Sequence, residues 1–153
     1  MAVIRRYPQA VIDKVAVLRG VPLFADLDER SLQAVAVLAR EQTHKAGSVL
    51  MLEGEPGDEF YVIVDGTIRI EHGGRTVRSM TPGGFLGEIA LLERRPRSAT
   101  ATAESDVTLL VLQQHEFERL LQTMPAVHRR VRAAIDRRER GERGERGGGA
   151  GEP

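Results

Sequence analysis

The apolar residues of this chain change their period twice. From Gln9 to Arg19, Val11, Val15 and Leu18 recur at helical spacing, and Gly20 followed by Pro22 ends the run, which predicts an N-terminal helix. Asp28 then stands at a helix cap, with Leu27 before it and Leu32 four residues after it, the arrangement of a hydrophobic staple. A second helix is predicted from about Glu29 to Ala39. After Arg40 the texture becomes one of short stretches rich in Val, Ile, Thr and Tyr between glycine-containing turns: VLMLE, FYVIV, TIRIEH and TVRSM, and later SATATAE and VTLLVL. Their regular spacing predicts an antiparallel sandwich or barrel. TIRIEH alternates, placing Ile68 and Ile70 inward and Arg69 and Glu71 outward, whereas FYVIV is apolar throughout and should be buried on both faces. Asp65-Gly66 reads as a two-residue hairpin turn and His72-Gly73-Gly74 as the next turn.

Helical spacing returns near Gln114. Phe117, Leu120 and Leu121 form one apolar face, Pro125 suits the first turn of a further helix, and Val127, Val131 and Ile135 stripe that helix at four-residue spacing. From Gly141 the chain reads GERGERGGGAGEP, with no large apolar residue to pack, and disorder is expected there. The organisation predicted is an N-terminal helix in residues 1–20, one domain in residues 21–140 and a Gly/Glu/Arg tail in residues 141–153.

Composition narrows the chemistry. The 153 residues suit a single domain and include no cysteine, which excludes disulfides, thiolate metal sites and cysteine nucleophiles together. No apolar run reaches membrane-spanning length and no cleavable leader stands at the start, so a soluble cytoplasmic protein is expected. The 22 basic and 22 acidic residues balance, which removes the general electrostatic case for nucleic-acid binding, although basic ends flank an acidic centre holding Glu53, Glu55, Asp58, Glu59 and Asp65. His44, His72, His115 and His128 have no metal-like spacing and read as surface or satisfied core residues, so no metal site is expected.

One segment carries specific chemistry. Gly83 and Gly84 lead into Phe85-Leu86-Gly87-Glu88-Ile89-Ala90-Leu91-Leu92, and Pro96-Arg97-Ser98-Ala99 opens a strand of small residues. Glycine lets backbone pass close to a ligand, and the first amides of a short helix after it form an anion site. Arg97 suits a phosphate, because its planar fork donates paired hydrogen bonds and its charge does not titrate away. Glu88 can only accept when ionised, so a sugar hydroxyl is its natural target. The plain alternative is that Glu88 and Arg97 form a salt bridge closing a surface loop.

FLGEIALLERRPRSATATA resembles the phosphate-binding cassette of cyclic nucleotide-binding domains, shared by catabolite activator proteins, protein kinase A regulatory subunits and cyclic-nucleotide-gated channels. The resemblance extends upstream through GSVLMLEGEPGDEFYVIVDGTIRI and covers roughly residues 20 to 138. It implies a mainly β fold with flanking helices: an eight-stranded antiparallel, jelly-roll-like β-roll with N-terminal helices and two C-terminal helices. It implies that Glu88 accepts from the ribose 2′-hydroxyl, that Arg97 pairs with the cyclic phosphate, and that backbone amides around Gly87, Ile89, Ala90, Ser98 and Ala99 complete the cradle. Thr100, Val127, Arg130, Val131 and Ile135 are candidates for base contacts or for a lid. Thr100 also reads as an ordinary strand hydroxyl, and the apolar stripe as one that packs on the roll or pairs with a second subunit.

The function expected is a stand-alone sensor of a 3′,5′-cyclic nucleotide, cyclic AMP first and cyclic GMP as the alternative, since a hydroxyl at Ser98 occurs with either base. No nucleophile, base and orienter stand together, so neither an enzyme nor a catalytic cofactor is expected. A transcription regulator is the competing reading, yet no recognition helix follows the last helix, so specific DNA binding is not expected. The sensor is expected to signal to a partner protein through its C-terminal helix, which is also the candidate homodimer surface.

Overall fold

A computed structural model describes residues 12–87, 90 and 95–146, with side chains described as far as residue 137. The helices are α1 (Lys14–Arg19), α2 (Glu29–Leu38), α3 (Gln114–Thr123) and α4 (Pro125–Arg146), with a 3-10 turn at Pro22–Phe24 between the first two. The strands are β1 (Arg40–His44), β2 (Val49–Met51), β3 (Pro56–Gly57), β4 (Glu59–Asp65), β5 (Ile68–His72), β6 (Arg75–Met80), β7 (Phe85–Leu86), β8 (Arg95–Pro96), β9 (Thr100–Ala103) and β10 (Val107–Gln113). They form a four-stranded sheet in the order β1-β10-β4-β7, a second in the order β2-β9-β5-β6, and a two-stranded ladder of β3 and β8. The two larger sheets supply the eight strands of the expected antiparallel roll. The short β3–β8 ladder brings the number among the described residues to ten.

Strands β4 and β10 explain why the molecule has three layers. Both are apolar on both faces, as FYVIV predicted. Phe60, Val62, Leu110 and Leu112 face a cluster built from the helices, whereas Tyr61, Ile63, Leu109 and Val111 face the second sheet. The helical layer is joined through aromatic edges. Phe24 meets Phe60 with ring centroids 5.9 Å apart at 89° and Phe117 at 6.2 Å and 62°. Such edge-to-face contacts add about 0.5–1.5 kcal/mol each beyond area burial. Ile68 and Ile70 are fully buried while Arg69 and Glu71 pair at 3.3 Å on the outer face, as their alternation requires.

The chain entries follow local capping chemistry. Asp28 accepts from the Ser31 amide at 2.8 Å, which also holds its carboxyl below the usual carboxylate range, and Leu27 and Leu32 are buried in the same cluster. Asp13 caps α1 in the same way, accepting from Ala16 at 3.1 Å. The helix therefore begins at Lys14, later than the expected start near Gln9; residues 1–11 lie outside the described residues.

Two further expectations are corrected. The Asp65-Gly66 pair does not close a hairpin: Asp65 pairs with Thr108 in the first sheet, and Ile68 pairs with Met80 and Ala103 in the second. A strand buried on both faces belongs in the middle layer and one with a polar face in the outer layer, so the chain must change sheets between them. The hairpin of this region lies one turn later, where Gly73 and Gly74, at φ 59° and 80°, join His72 to its partner Arg75. The glycine-rich tail was expected to be disordered from Gly141, but α4 continues to Arg146; residues 147–153 lie outside the described residues. The sequence sets Glu139 and Glu142 four residues ahead of Arg143 and Arg146, a spacing that favours helix.

Gly66 is the residue on which the change of sheet depends. Its φ is 91°, and a Cβ there falls 2.4 Å from the Asp106 carbonyl oxygen. Gly66→Ala is expected to destabilise the protein by about 1–3 kcal/mol, combining left-handed strain with a backbone clash. Urea unfolding checks this, and an unchanged midpoint would show that the crossing tolerates a side chain.

Candidate functional site

The segment from Gly83 to Ala99 leaves the first sheet at β7 and returns to the second at β9. At its start, Leu86 pairs with Tyr61 and Phe85 with Val62, so the edge of the first sheet fixes the point of departure. Gly87 then turns the chain at φ 81°, and its carbonyl accepts from the Ala90 amide at 2.9 Å. Ala90 is buried. Glu88 and Ile89, both predicted site residues, lie outside the described residues, as do residues 91–94.

The return arm is fastened by the β3–β8 ladder, in which Pro56 pairs with Pro96 and Gly57 with Arg95. Arg97 continues that fastening, its amide donating to Glu55 at 2.8 Å and its carbonyl accepting from Gly54 at 2.8 Å. Its half-buried guanidinium donates from Nη2 to the Glu59 carbonyl at 2.9 Å and lies 5.9 Å from the centroid of the Tyr61 ring. Two glycines make this seat. A Cβ on Gly57 falls 1.9 Å from Arg97 Nε, and one on Gly87 falls 2.7 Å from Nη1. Arg97 thus faces the turn at Gly87 with one arm of its fork and Glu59 with the other. The second arm is held by a neutral acceptor, the Glu59 carbonyl.

Tyr61 braces the seat from below. Its hydroxyl is 2.8 Å from a Glu59 carboxylate oxygen and 3.2 Å from the Leu50 carbonyl. Burial, and then the Glu59 carboxylate, push the phenol far above its ordinary pKa, so it remains a neutral donor. Beside it opens a cavity of about 280 Å³ whose lining includes Leu50, Leu52, Asp58, Tyr61 and Arg97.

The remaining predicted residues separate into two groups. Ser98 and Ala99 follow Arg97 directly, Ser98 exposed and Ala99 buried, and the Thr100 hydroxyl accepts from the Glu53 amide at 3.0 Å. Thr100 thus fastens the loop after β2, with its hydroxyl proton still available to donate. Val127, Val131 and Ile135 are buried in the helical cluster behind the first sheet. Arg130 donates to the Asp26 carbonyl, which ties α4 to the loop before α2. Further along α4, Ala134 and Arg137 share a groove with Phe85, so this helix passes the strand from which the cassette segment departs.

Gly57, Glu59 and Tyr61 surround Arg97 and were not singled out from the sequence as candidate site residues. Gly57 gave no signal because GEPGDE reads simply as a turn, and its φ is not positive. Its glycine is required by the guanidinium above it. Among the described residues no cluster of three or more acidic or histidine side chains is placed to hold a metal, and no helix is long and apolar enough to cross a membrane.

The family profile "Cyclic nucleotide-binding domain" matches residues 41–124. A cyclic nucleotide-gated potassium channel of Mesorhizobium japonicum is 35% identical over 120 residues, 78% of this chain and 33% of the channel. A cAMP-dependent protein kinase regulatory subunit of Hypocrea atroviridis is 34% identical over 115 residues, 75% of this chain and 25% of the subunit. The chain thus spans a third or less of these curated relatives. The N-terminal domain of a transcriptional regulator from Streptomyces coelicolor A3(2) superposes with a TM-score of 0.74 and 34% identity, covering 81% of this chain and 92% of that one.

The glycine seat makes a structural prediction. The atoms nearest a methyl group on Gly57 belong to the flexible side chain of Arg97, so Gly57→Ala should leave the fold intact and drive the guanidinium off the Glu59 carbonyl. A crystal structure of the variant checks this; Arg97 found in its original place would contradict the assignment of Gly57 to the site.

Proposed function

Since this chain belongs to the family of cyclic nucleotide-binding domains, we propose that it is a sensor of 3′,5′-cyclic AMP that performs no chemistry on its ligand. The observation that carries the reading is the Arg97 guanidinium, held in a half-buried seat on Gly57 and Gly87 with one arm turned to the cassette loop. A cationic fork fixed beside a glycine turn suits an anion of matching shape, and a singly charged cyclic phosphate supplies two oxygens to it. The amides around Gly87, Ile89, Ala90, Ser98 and Ala99 complete the cradle, and Glu88 accepts from the ribose 2′-hydroxyl. Ser98 is compatible with cyclic GMP as well, and that is the alternative ligand.

The signal leaves through α4. That helix runs past Phe85 at the root of the cassette, and its seat depends on the Val127, Val131 and Ile135 stripe and on the Arg130 contact to Asp26. A ligand that favours one arrangement of cassette and helix shifts the population toward it. The recipient is an effector protein, or a second copy of the chain joined through this helix, in the cytoplasm and without specific DNA binding by this domain. A second reading has its own support. The likeness to the N-terminal domain of a transcriptional regulator, and the small share of each curated relative that is spanned, fit the ligand-binding part of a larger regulator.

Arg97→Ala should weaken cyclic AMP binding more than tenfold, since loss of a charged hydrogen bond costs about 1.5–3 kcal/mol. Arg97→Lys should fail as well, because an ammonium does not reproduce the fork. Glu88→Gln should impair binding of cyclic AMP more than of its 2′-deoxy analogue. Calorimetry decides both points: unchanged affinity in the arginine variants removes the phosphate assignment, and equal losses for the two ligands remove the ribose assignment. Hydrogen exchange should show cyclic AMP protecting residues 83–99 and also altering residues 125–137; a response confined to the cassette would mean that α4 is scaffolding.

A further inference from the structure

At the tip of the β5–β6 hairpin, His72 reaches the segment that follows Arg97. Its Nδ1 lies 2.8 Å from the Ser98 carbonyl oxygen and 3.3 Å from a Glu53 carboxylate oxygen. Both neighbours only accept, so Nδ1 carries the proton. The other Glu53 oxygen accepts from the Gly73 amide at 3.0 Å, and the Glu53 amide donates to the Thr100 hydroxyl at 3.0 Å. The hairpin tip, the loop after β2 and the start of β9 therefore form one closed ring around the Ser98–Ala99 peptide.

That peptide is the last of the cassette. In a planar trans peptide the carbonyl and the following N–H point in opposite directions, and no cis peptide occurs among the described residues. The Ser98 carbonyl points outward to an imidazole whose side chain is 67% exposed, so the Ala99 N–H points inward, toward the interior in which Ala99 itself is buried. A carbonyl that accepts a hydrogen bond also polarises its amide and makes the N–H a stronger donor.

We propose that His72 is a positioning residue for the phosphate site: by gripping the Ser98 carbonyl it aims the Ala99 N–H at the ligand's cyclic phosphate, opposite the Arg97 fork. Glu53, anchored by Gly73, holds the imidazole in the orientation that makes the grip. This inference rests on the cyclic-nucleotide reading for its ligand and on the hairpin geometry for its mechanism, and the two can fail separately. His72 is exposed, so its replacement does not disturb the core.

The test compares His72→Ala and His72→Asn with the unaltered protein, using calorimetric titration with cyclic AMP, thermal unfolding, and the backbone amide resonance of Ala99 without ligand. Removing one neutral hydrogen bond is expected to weaken cyclic AMP binding about three- to tenfold in His72→Ala, with the Tm unchanged and the Ala99 resonance displaced. Asparagine can set an amide N–H close to where Nδ1 stands, so His72→Asn should restore affinity to within about twofold and return the resonance. Full affinity in His72→Ala overturns the proposal, as does an asparagine variant as weak as the alanine one. If the unaltered protein binds no cyclic AMP, the ligand reading falls on its own account. An Ala99 resonance that does not move in His72→Ala then overturns the positioning role independently.

Discussion

Arg97 sits where two other residues must have no side chain. The clash distances at Gly57 and Gly87 mean that the guanidinium occupies the space their methyl groups would fill, and much of the surrounding architecture serves that contact. The β3–β8 ladder brings Gly57 beneath the arginine, β7 brings Gly87 beside it, and β4 contributes both the Glu59 carbonyl and the Tyr61 ring. A long flexible cation loses considerable rotamer freedom when ordered in this way. Holding it in advance leaves less ordering to be done when an anion arrives, which is how a rigid site gains affinity.

The middle sheet backs that seat and separates it from the helices. Because β4 and β10 are buried on both faces, Tyr61 packs on one side of the middle sheet and Phe60 and Val62 on the other, against Phe24, Phe117 and the α4 stripe. Phe85 adds a shorter connection, since it is tilted against Phe60 at 5.9 Å and shares a groove with Ala134 and Arg137. The ligand segment and the last helix are thus neighbours through one aromatic residue.

What was legible in the sequence was what depends on local pattern. Alternation gave β5 its faces, the continuous apolar run placed β4 in the middle layer, and the Asp28 cap with its staple located α2. The cassette spacing located Arg97. Features set by partners distant in sequence were not legible. Strand β1, REQTH, has too little apolar character to announce itself and exists because it pairs with β10. Asp65-Gly66 has the composition of a hairpin turn, but the burial demands of β4 and β5 send them to different sheets. Gly57 reaches Arg97 only because β3 meets β8, and His72 reaches Ser98 only because the β5–β6 tip folds over it. The α4 stripe had the right period for a lid and for a core, and the helical cluster is where it packs.

Recognition of a cyclic phosphate by the Arg97 seat is the proposed role on which the others depend. Calorimetric titration of the purified chain with cyclic AMP and, separately, with 5′-AMP tests this most directly, because the two ligands share base and sugar and differ in the ring closure and charge of the phosphate. Saturable binding of cyclic AMP with one ligand per chain, and far weaker binding of 5′-AMP, is the result predicted. No saturable binding of cyclic AMP, or equal affinity for the open nucleotide, would contradict it.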